Sequence, residues 1–236
     1  IRATSQELYE GLIASGQNAF PSVSFDLGAI NNFLSRFFAA GFYYKTFMGI
    51  PPFEWGKGTN IWMLYEKIIR KAAGMGKVSK LPDPDSYEHA NDFCDVLIVG
   101  SGPAGIAAAK EAADKKLDVI LVEQDNLLGG DQLSENNYNI DSAEDELNSL
   151  GIRIMKRTTA FGLYDNCVLG LIERVTDHIP AGYNELPRQR FWTIRAKHVI
   201  IGSGALERHI AFNNNDVPGS MTVNASKHYL NRYGVL

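Results

Sequence analysis

The sequence predicts an α/β fold built on a parallel sheet, and three observations carry that prediction. A short β-branched apolar run, Asp95 to Val99, ends in glycines and passes at once into a small-residue helix pattern. A second apolar run, Asp118-Val119-Ile120-Leu121-Val122, follows after one helix length. A third, His198-Val199-Ile200-Ile201, again ends in a glycine turn, Gly202-Ser203-Gly204-Ala205. Strands that alternate with helices build parallel sheets, because a parallel pair needs a crossover between its members.

In chain order, residues 1–90 read as a mostly helical or irregular arm, and residues 91–236 as the α/β domain. Ser5 to Ile13 begins as a short capped helix, and Asn18 to Leu27 reads as extended or irregular. Aromatic side chains then crowd together from Phe33, Phe37, Phe38, Phe42, Tyr43, Tyr44 and Phe47 to Phe53, Trp55 and Trp62. That density far exceeds the 11% aromatic content of the whole chain, so the arm is expected to pack on the α/β domain and on partner subunits. Asn60 to Ala73 is the clearest amphipathic helix, with Ile61, Leu64, Tyr65, Ile68, Ile69 and Ala72 at helical spacing and Gly74 and Gly76 as its stop. Leu81-Pro82-Asp83-Pro84-Asp85 is a turn-rich connector.

The first strand leads into Gly100-Ser101-Gly102-Pro103-Ala104-Gly105, a Gly-x-Gly-x-x-Gly turn, and the second strand ends in Glu123. Strand, glycine turn, helix, strand and acid in this order form the β-α-β unit that binds a dinucleotide. Gly100 turns the chain out of the strand, Gly102 lets a diphosphate approach the backbone, and Gly105 lets the helix press on the strand. The helix N-terminus offers its N–H groups to phosphate, and Pro103 suits the first helical turn. Glu123 is placed to accept from a ribose diol. Gln124 and Asp125 follow with no Arg or Lys at hand, so a 2′-phosphate would meet negative charge, which argues against NADP. Leu127-Leu128-Gly129-Gly130-Asp131 is a further glycine turn placed to reach the ribose or the diphosphate. The fold expected is thus a Rossmann-like FAD/NAD(P)-binding domain.

Asp141 to Leu150 reads as a helix stopped by Gly151, and Ile152 to Met155 as a third parallel strand. Alternating segments at 158–164, 167–175 and 190–196 predict an antiparallel meander inserted between parallel strands. Residues 198–201 read as a buried run that returns the chain to the parallel sheet. Ligands bind at strand C-termini in open α/β sheets, so Gly202, Ser203 and Gly204 should meet the first glycine turn. Thr222 to Tyr233 reads as a final helix ending near Gly234.

The chain has 236 residues, 45% hydrophobic and 21% charged, as a globular protein requires. A net charge of −4 gives no electrostatic reason to expect nucleic acid. No apolar run reaches the ~18 residues that span a membrane. No basic-then-apolar leader opens the chain, so no secretory signal is read. Two cysteines, Cys94 and Cys167, make neither a disulfide framework nor a metal site, and fit a reducing, cytoplasmic setting. Five scattered histidines suggest no metal ligation. No nucleophile–base–orienter set is visible, so no catalytic residue is assigned. Lys45, set among aromatics, is a candidate for an anionic group, with a surface lysine as the plainer reading.

Gly100 to Glu123 together with Lys197-His198-Val199-Ile200-Ile201-Gly202-Ser203-Gly204-Ala205-Leu206-Glu207-Arg208 resembles the two-dinucleotide-domain flavoproteins of glutathione reductase type. There the second segment usually closes in Ala-Thr-Gly-Ala. Ala40-Gly41-Phe42-Tyr43-Tyr44-Lys45-Thr46-Phe47-Met48, Asn214-Asn215-Asp216-Val217-Pro218-Gly219 and Tyr229-Leu230-Asn231-Arg232-Tyr233-Gly234 narrow the resemblance to the α-subunit family of heterotetrameric sarcosine oxidases. This resemblance implies oxidation of sarcosine by O2, with tetrahydrofolate as one-carbon acceptor and peroxide as product. It implies β, γ and δ partner subunits, FAD on the β subunit and FMN at the α/β interface. Sarcosine and tetrahydrofolate would bind elsewhere in the complex, and this chain alone would be inactive. A second nucleotide-type domain would begin about where this sequence ends. The broader resemblance favours FAD at Gly100–Gly105 and the narrower one NAD; NAD is the expectation here, with FAD as the alternative. A self-contained FAD/NAD(P)H oxidoreductase of the disulfide reductase type, or a non-redox nucleotide-binding module, are the other readings.

Overall fold

The computed structural model describes residues 19–22, 24–33, 70, 82–83, 85–135, 138–179, 185–215, 217 and 219–235. The chain divides into two units, 1–83 and 84–236. In the first, Asp26 Oδ1 accepts from the backbone N–H groups of Phe20 and Gly28 at 2.9 and 2.8 Å, and a 3-10 turn runs over Leu27–Asn32. The helices expected at 5–13 and 60–73, the aromatic stretch beyond Phe33, and Lys45 lie outside the described residues, Arg70 apart.

The second unit is one six-stranded sheet. Its strands are β1 (Tyr87–Val99), β2 (Val119–Val122), β3 (Arg153–Met155), β4 (Thr158–Tyr164), β5 (Val168–Arg174) and β6 (Gln189–Ile201). They lie in the order β3-β2-β1-β6-β5-β4. β1 pairs in parallel with β2, from Val96↔Val119 to Val99↔Val122, and β2 in parallel with β3. β5 is antiparallel to both β4 and β6.

Two expectations change in detail. The segments 190–196 and 198–201 are one continuous strand, β6, which pairs in parallel with β1 from Tyr87↔Gln189 to Val99↔Ile201. The same strand is the third member of the antiparallel meander, so the meander extends the parallel sheet. β1 itself starts at Tyr87, well before the apolar run. Its first half carries Glu88, His89, Asn91 and Asp92, a polar stretch that does not read as a buried strand.

α1 (Pro103–Asp114) crosses from β1 to β2. Proline sits in its first turn, and Ile106, Ala109 and Ala112 line its buried face. Small side chains there let the helix lie close to the sheet. Lys116, at φ 61, turns the chain out of it. α2 (Ile140–Ser149) starts at Asn139, whose side chain accepts from the Ser142 N–H at 3.1 Å, and stops before Gly151 at φ 75.

Each face of the sheet carries one buried cluster. On one, Val96, Ile98, Val119 and Leu121 pack under α1 with Leu128, Leu147 and Ile152. On the other, Leu97, Ile120 and Val122 pack with Cys94, Leu169, Leu171, Ile194 and Ala196. The second cluster buries the inner face of the meander against the ends of the parallel strands. The expected final helix is α3 (Val223–Lys227), capped by Thr222, followed by one π-helical turn over His228–Arg232. Among the described residues no helix is long and apolar enough to cross a membrane.

Candidate functional site

The turn after β1 is closed by backbone on two sides and open on the third. Gly100 has φ 98, and a Cβ there would lie 2.5 Å from the Gly202 carbonyl oxygen. A Cβ on Gly105 would lie 1.8 Å from the Gly100 carbonyl oxygen. Glycine is therefore obligatory at both: one for conformation and contact, the other for contact alone. A Cβ on Gly202 would lie 3.3 Å from the Gly105 amide nitrogen. The two glycine turns thus meet backbone to backbone at the strand ends, as their positions in sequence predict. Gly102 differs: a Cβ there would have nothing within 4 Å.

That open side faces the start of α1. Gly102 is the N-cap residue and no side chain caps the helix. The first-turn amides beyond Pro103, those of Ala104 and Gly105, therefore point without a capping side chain toward the end that carries the positive pole of the helix dipole. An anionic diphosphate fits this space; a side chain at Gly102 would occupy it.

Glu123 stands at the tip of β2, buried to 8% exposure. Its Oε2 accepts from the Ser101 N–H at 2.9 Å and from the Ser101 hydroxyl at 2.6 Å. Its Oε1 accepts from the Asp125 N–H at 2.9 Å. A carboxylate offers about four acceptor directions. Three are filled by the protein, so one on Oε1 is left for a further donor such as a ligand hydroxyl. Sequence alone suggests a freer acid. Glu123 also ties the first glycine turn to the strand beside it.

The third glycine turn completes the wall. The Gly129 N–H donates to the Ser101 carbonyl at 3.0 Å and to the Ser101 hydroxyl oxygen at 3.2 Å. A Cβ on Gly130 would lie 3.2 Å from Gly102 Cα, which places Gly130 against the open side. The Tyr138 ring occupies the space where Gly129 would carry a Cβ. Tyr138 is a contact that sequence spacing does not reveal, and burial pushes its phenol pKa up. Ser203 follows Gly202, with its Cα 3.1 Å from the Cβ position of Gly100, and Gly204 has φ 73 in open space.

The charge around Gln124 and Asp125 differs from the expectation. The Gln124 carbonyl accepts from Arg174 at 2.6 Å, and Asp125 Oδ2 accepts from Arg232 at 2.5 Å. Two guanidinium groups therefore flank a loop whose local sequence is acidic. They arrive from β5 and from the π-helical turn, 50 and 107 positions away.

Residues 95–203 match the family model described as FAD dependent oxidoreductase. Sarcosine oxidase subunit alpha of Rhizobium meliloti (strain 1021) is 47% identical over 244 residues, which cover 99% of this chain and 24% of that protein. The chain is a relative of the sarcosine oxidase α subunit. The subunit of the same name from Corynebacterium sp. (strain U-96) is 38% identical over 69% of this chain and 18% of its own length. This chain thus spans about a quarter or less of the α subunits it matches. Among solved structures, L-proline dehydrogenase from P. horikoshii aligns with a TM-score of 0.45 and 27% identity, over 64% of this chain and 30% of that one. The α-subunit relationship and the FAD-dependent oxidoreductase model agree with the mixed sheet and glycine turns: the chain carries the Rossmann-like fold of flavin oxidoreductases.

Proposed function

We propose that this chain is the nucleotide-binding part of the α subunit of a sarcosine oxidase-like amine oxidase. One observation carries the reading: Gly102 is open while Gly100 and Gly105 are closed by backbone, at an uncapped helix N-terminus beside a buried acid. Gly100, Ser101, Gly102, Pro103, Ala104 and Gly105, with Gly129 and Gly130, hold the diphosphate. Glu123 takes the adenosine ribose, and Gln124 borders it. Gly202, Ser203 and Gly204 form the opposite wall.

The α-subunit relatives support the larger role. Their names give sarcosine oxidase and a subunit of a larger assembly. The family resemblance extends the proposed role to oxidative demethylation of sarcosine by O2, with tetrahydrofolate as acceptor and peroxide as product, in a complex with β, γ and δ subunits. Sarcosine, tetrahydrofolate and FAD belong to other parts of that assembly, with FAD on the β subunit and FMN at the α/β interface. The dinucleotide on this chain is NAD. A bound dinucleotide supplies hydride-accepting chemistry; the residues here bind and orient it. A second reading, FAD at the same turn in a self-contained reductase, is favoured by the FAD dependent oxidoreductase model over residues 95–203.

The test is to release the ligand by heat from the separated subunit that contains this sequence, and to record its mass and visible spectrum. A colourless compound with the mass of NAD, lost in Gly102→Val, supports the reading. A yellow FAD lost in the same variant promotes the second. A ligand retained in full by Gly102→Val sinks both assignments of this turn.

A further inference from the structure

The last helical turn of the chain folds back onto the loop that follows Glu123. His228 Nδ1 lies 2.8 Å from the Ser134 hydroxyl, and His228 Nε2 lies 3.3 Å from Asp131 Oδ1. Asn231 donates to the Ser134 carbonyl at 2.8 Å. Lys227 pairs with Glu135, and Arg232 with Asp125. These four side chains come in two adjacent pairs one turn apart, 227–228 and 231–232. The wide π-helical turn over His228–Arg232 keeps both pairs on one face.

The loop they grip touches both halves of the candidate site. At its far end, Gly130 lies against Gly102. At its near end, the Asp125 N–H is the donor to Glu123 Oε1, the oxygen with a direction left for ribose. The Asp125 side chain is held by Arg232 Nη2, and its backbone carbonyl accepts from the Arg157 N–H at 2.9 Å. Arg232 is only 19% exposed, so water screens this pair less than a surface one.

We propose that segment 222–235 braces the nucleotide loop, and that Arg232 is a positioning residue which orients Glu123 for the ribose by fixing Asp125. The inference rests on the nucleotide-binding reading above. It extends the site to the segment around Arg232, 107 positions along the chain from Asp125. The ligand chemistry it serves is an adenosine diphosphate moiety, which NAD and FAD share.

ADP is the probe, titrated calorimetrically into the nucleotide-free subunit. Arg232→Ala and Asp125→Asn should each weaken ADP by about three- to tenfold, the effect of one ordinary hydrogen bond. Arg232→Lys should recover part of that loss. The deciding arm is Glu123→Gln combined with Arg232→Ala. If Arg232 works through Glu123, the double variant binds within about twofold of Glu123→Gln alone. Losses that multiply, or unchanged affinity in both Arg232→Ala and Asp125→Asn, overturn the brace while leaving the nucleotide site intact. Asp125→Asn changes almost no volume, so it reads the same arm if Arg232→Ala fails to fold. Wild-type protein that does not bind ADP overturns the nucleotide reading and the brace with it.

Discussion

Ser101 and Glu123 are joined twice: one carboxylate oxygen accepts both the backbone N–H and the hydroxyl of the serine, at 2.9 and 2.6 Å. Both residues are buried, Ser101 completely. The acid at the tip of β2 is therefore a structural fastener, whatever it also holds as the proposed ribose acceptor. Glu123→Ala leaves three donors without their acceptor, the two on Ser101 and the Asp125 N–H. Such a group costs about 1–3 kcal/mol when stranded out of water. Glu123→Ala should thus lose stability by at least about 2 kcal/mol in addition to its nucleotide affinity. Glu123→Gln keeps one acceptor oxygen and should lose less. Urea unfolding of both variants, without ligand, checks this; equal stability of Glu123→Ala and wild type would sink it.

The hairpin between β4 and β5 turns through Asn166 and Cys167, at φ 59 and 53. Left-handed backbone suits asparagine tolerably and cysteine poorly, since its Cβ crowds the following carbonyl. Cys167→Gly should therefore raise stability by about 0.5–1 kcal/mol, the strain released less the added freedom of the unfolded chain. A thermal melt of the variant reads the sign directly, and a fall in Tm would refute the argument.

Cys94 is buried in the second core cluster. Burial, with Asp118 adding to it and Arg153 opposing, pushes its thiol from an ordinary 9.0 up to about 11. The thiol, inside β1, stays protonated at neutral pH, and a protonated thiol is a poor nucleophile. Because the folded value lies above the unfolded one, the unfolded chain loses its proton first. The stability contributed by this group is complete below about pH 9 and is lost as pH rises through about 11. Cys94→Ala should flatten the decline in urea midpoint between about pH 9 and 11 relative to wild type. Parallel declines in the two proteins would show that other groups govern it.

The parts of this fold legible in sequence are those where local chemistry is unambiguous. The Gly100–Gly105 turn, the acid at Glu123 and the all-buried run of β2 each leave one interpretation. Less legible are features created by distant pairing. The first half of β1 is polar because it faces solvent on one side, and only its partner β6 makes it a strand. β6 spans two segments that read separately because its β5 neighbour ends at Arg195: beyond it only β1 pairs with β6, and Ile200 and Ile201, which read as a buried run, are 39% and 65% exposed. Arg174 and Arg232 could not be placed beside Asp125 from spacing alone. The sequence signal that bears on this region is the Tyr229–Gly234 segment, whose resemblance to α-subunit sequences marks it without showing what it touches. Glu123 reads from sequence as an acid at a strand tip, but its bonds to Ser101 exist only once the turn is folded.

The three glycines of the first turn should respond differently to the smallest side chain. At Gly105, alanine puts its Cβ 1.8 Å from the Gly100 carbonyl oxygen, and neither atom has room to retreat without moving α1 off the sheet. Gly105→Ala should destabilise the domain by at least about 3 kcal/mol, the upper range for overpacking against rigid neighbours. At Gly100, the clash with the Gly202 carbonyl is compounded by φ 98, so alanine fails there for two reasons. At Gly102 the backbone is at φ −66, ψ 179, open to any residue, and the added carbon meets nothing. Gly102→Ala should leave stability unchanged or raise it by up to about 1 kcal/mol, because the unfolded chain loses freedom. Its effect should appear only with ligand, as weaker binding, since the carbon projects into the space assigned to diphosphate. Unfolding in the absence of nucleotide, followed by ADP titration of Gly102→Ala, separates the two classes of glycine. A Gly102→Ala protein as unstable as Gly105→Ala would show that the third side of the turn is closed by packing. One that binds ADP like wild type would move the diphosphate elsewhere.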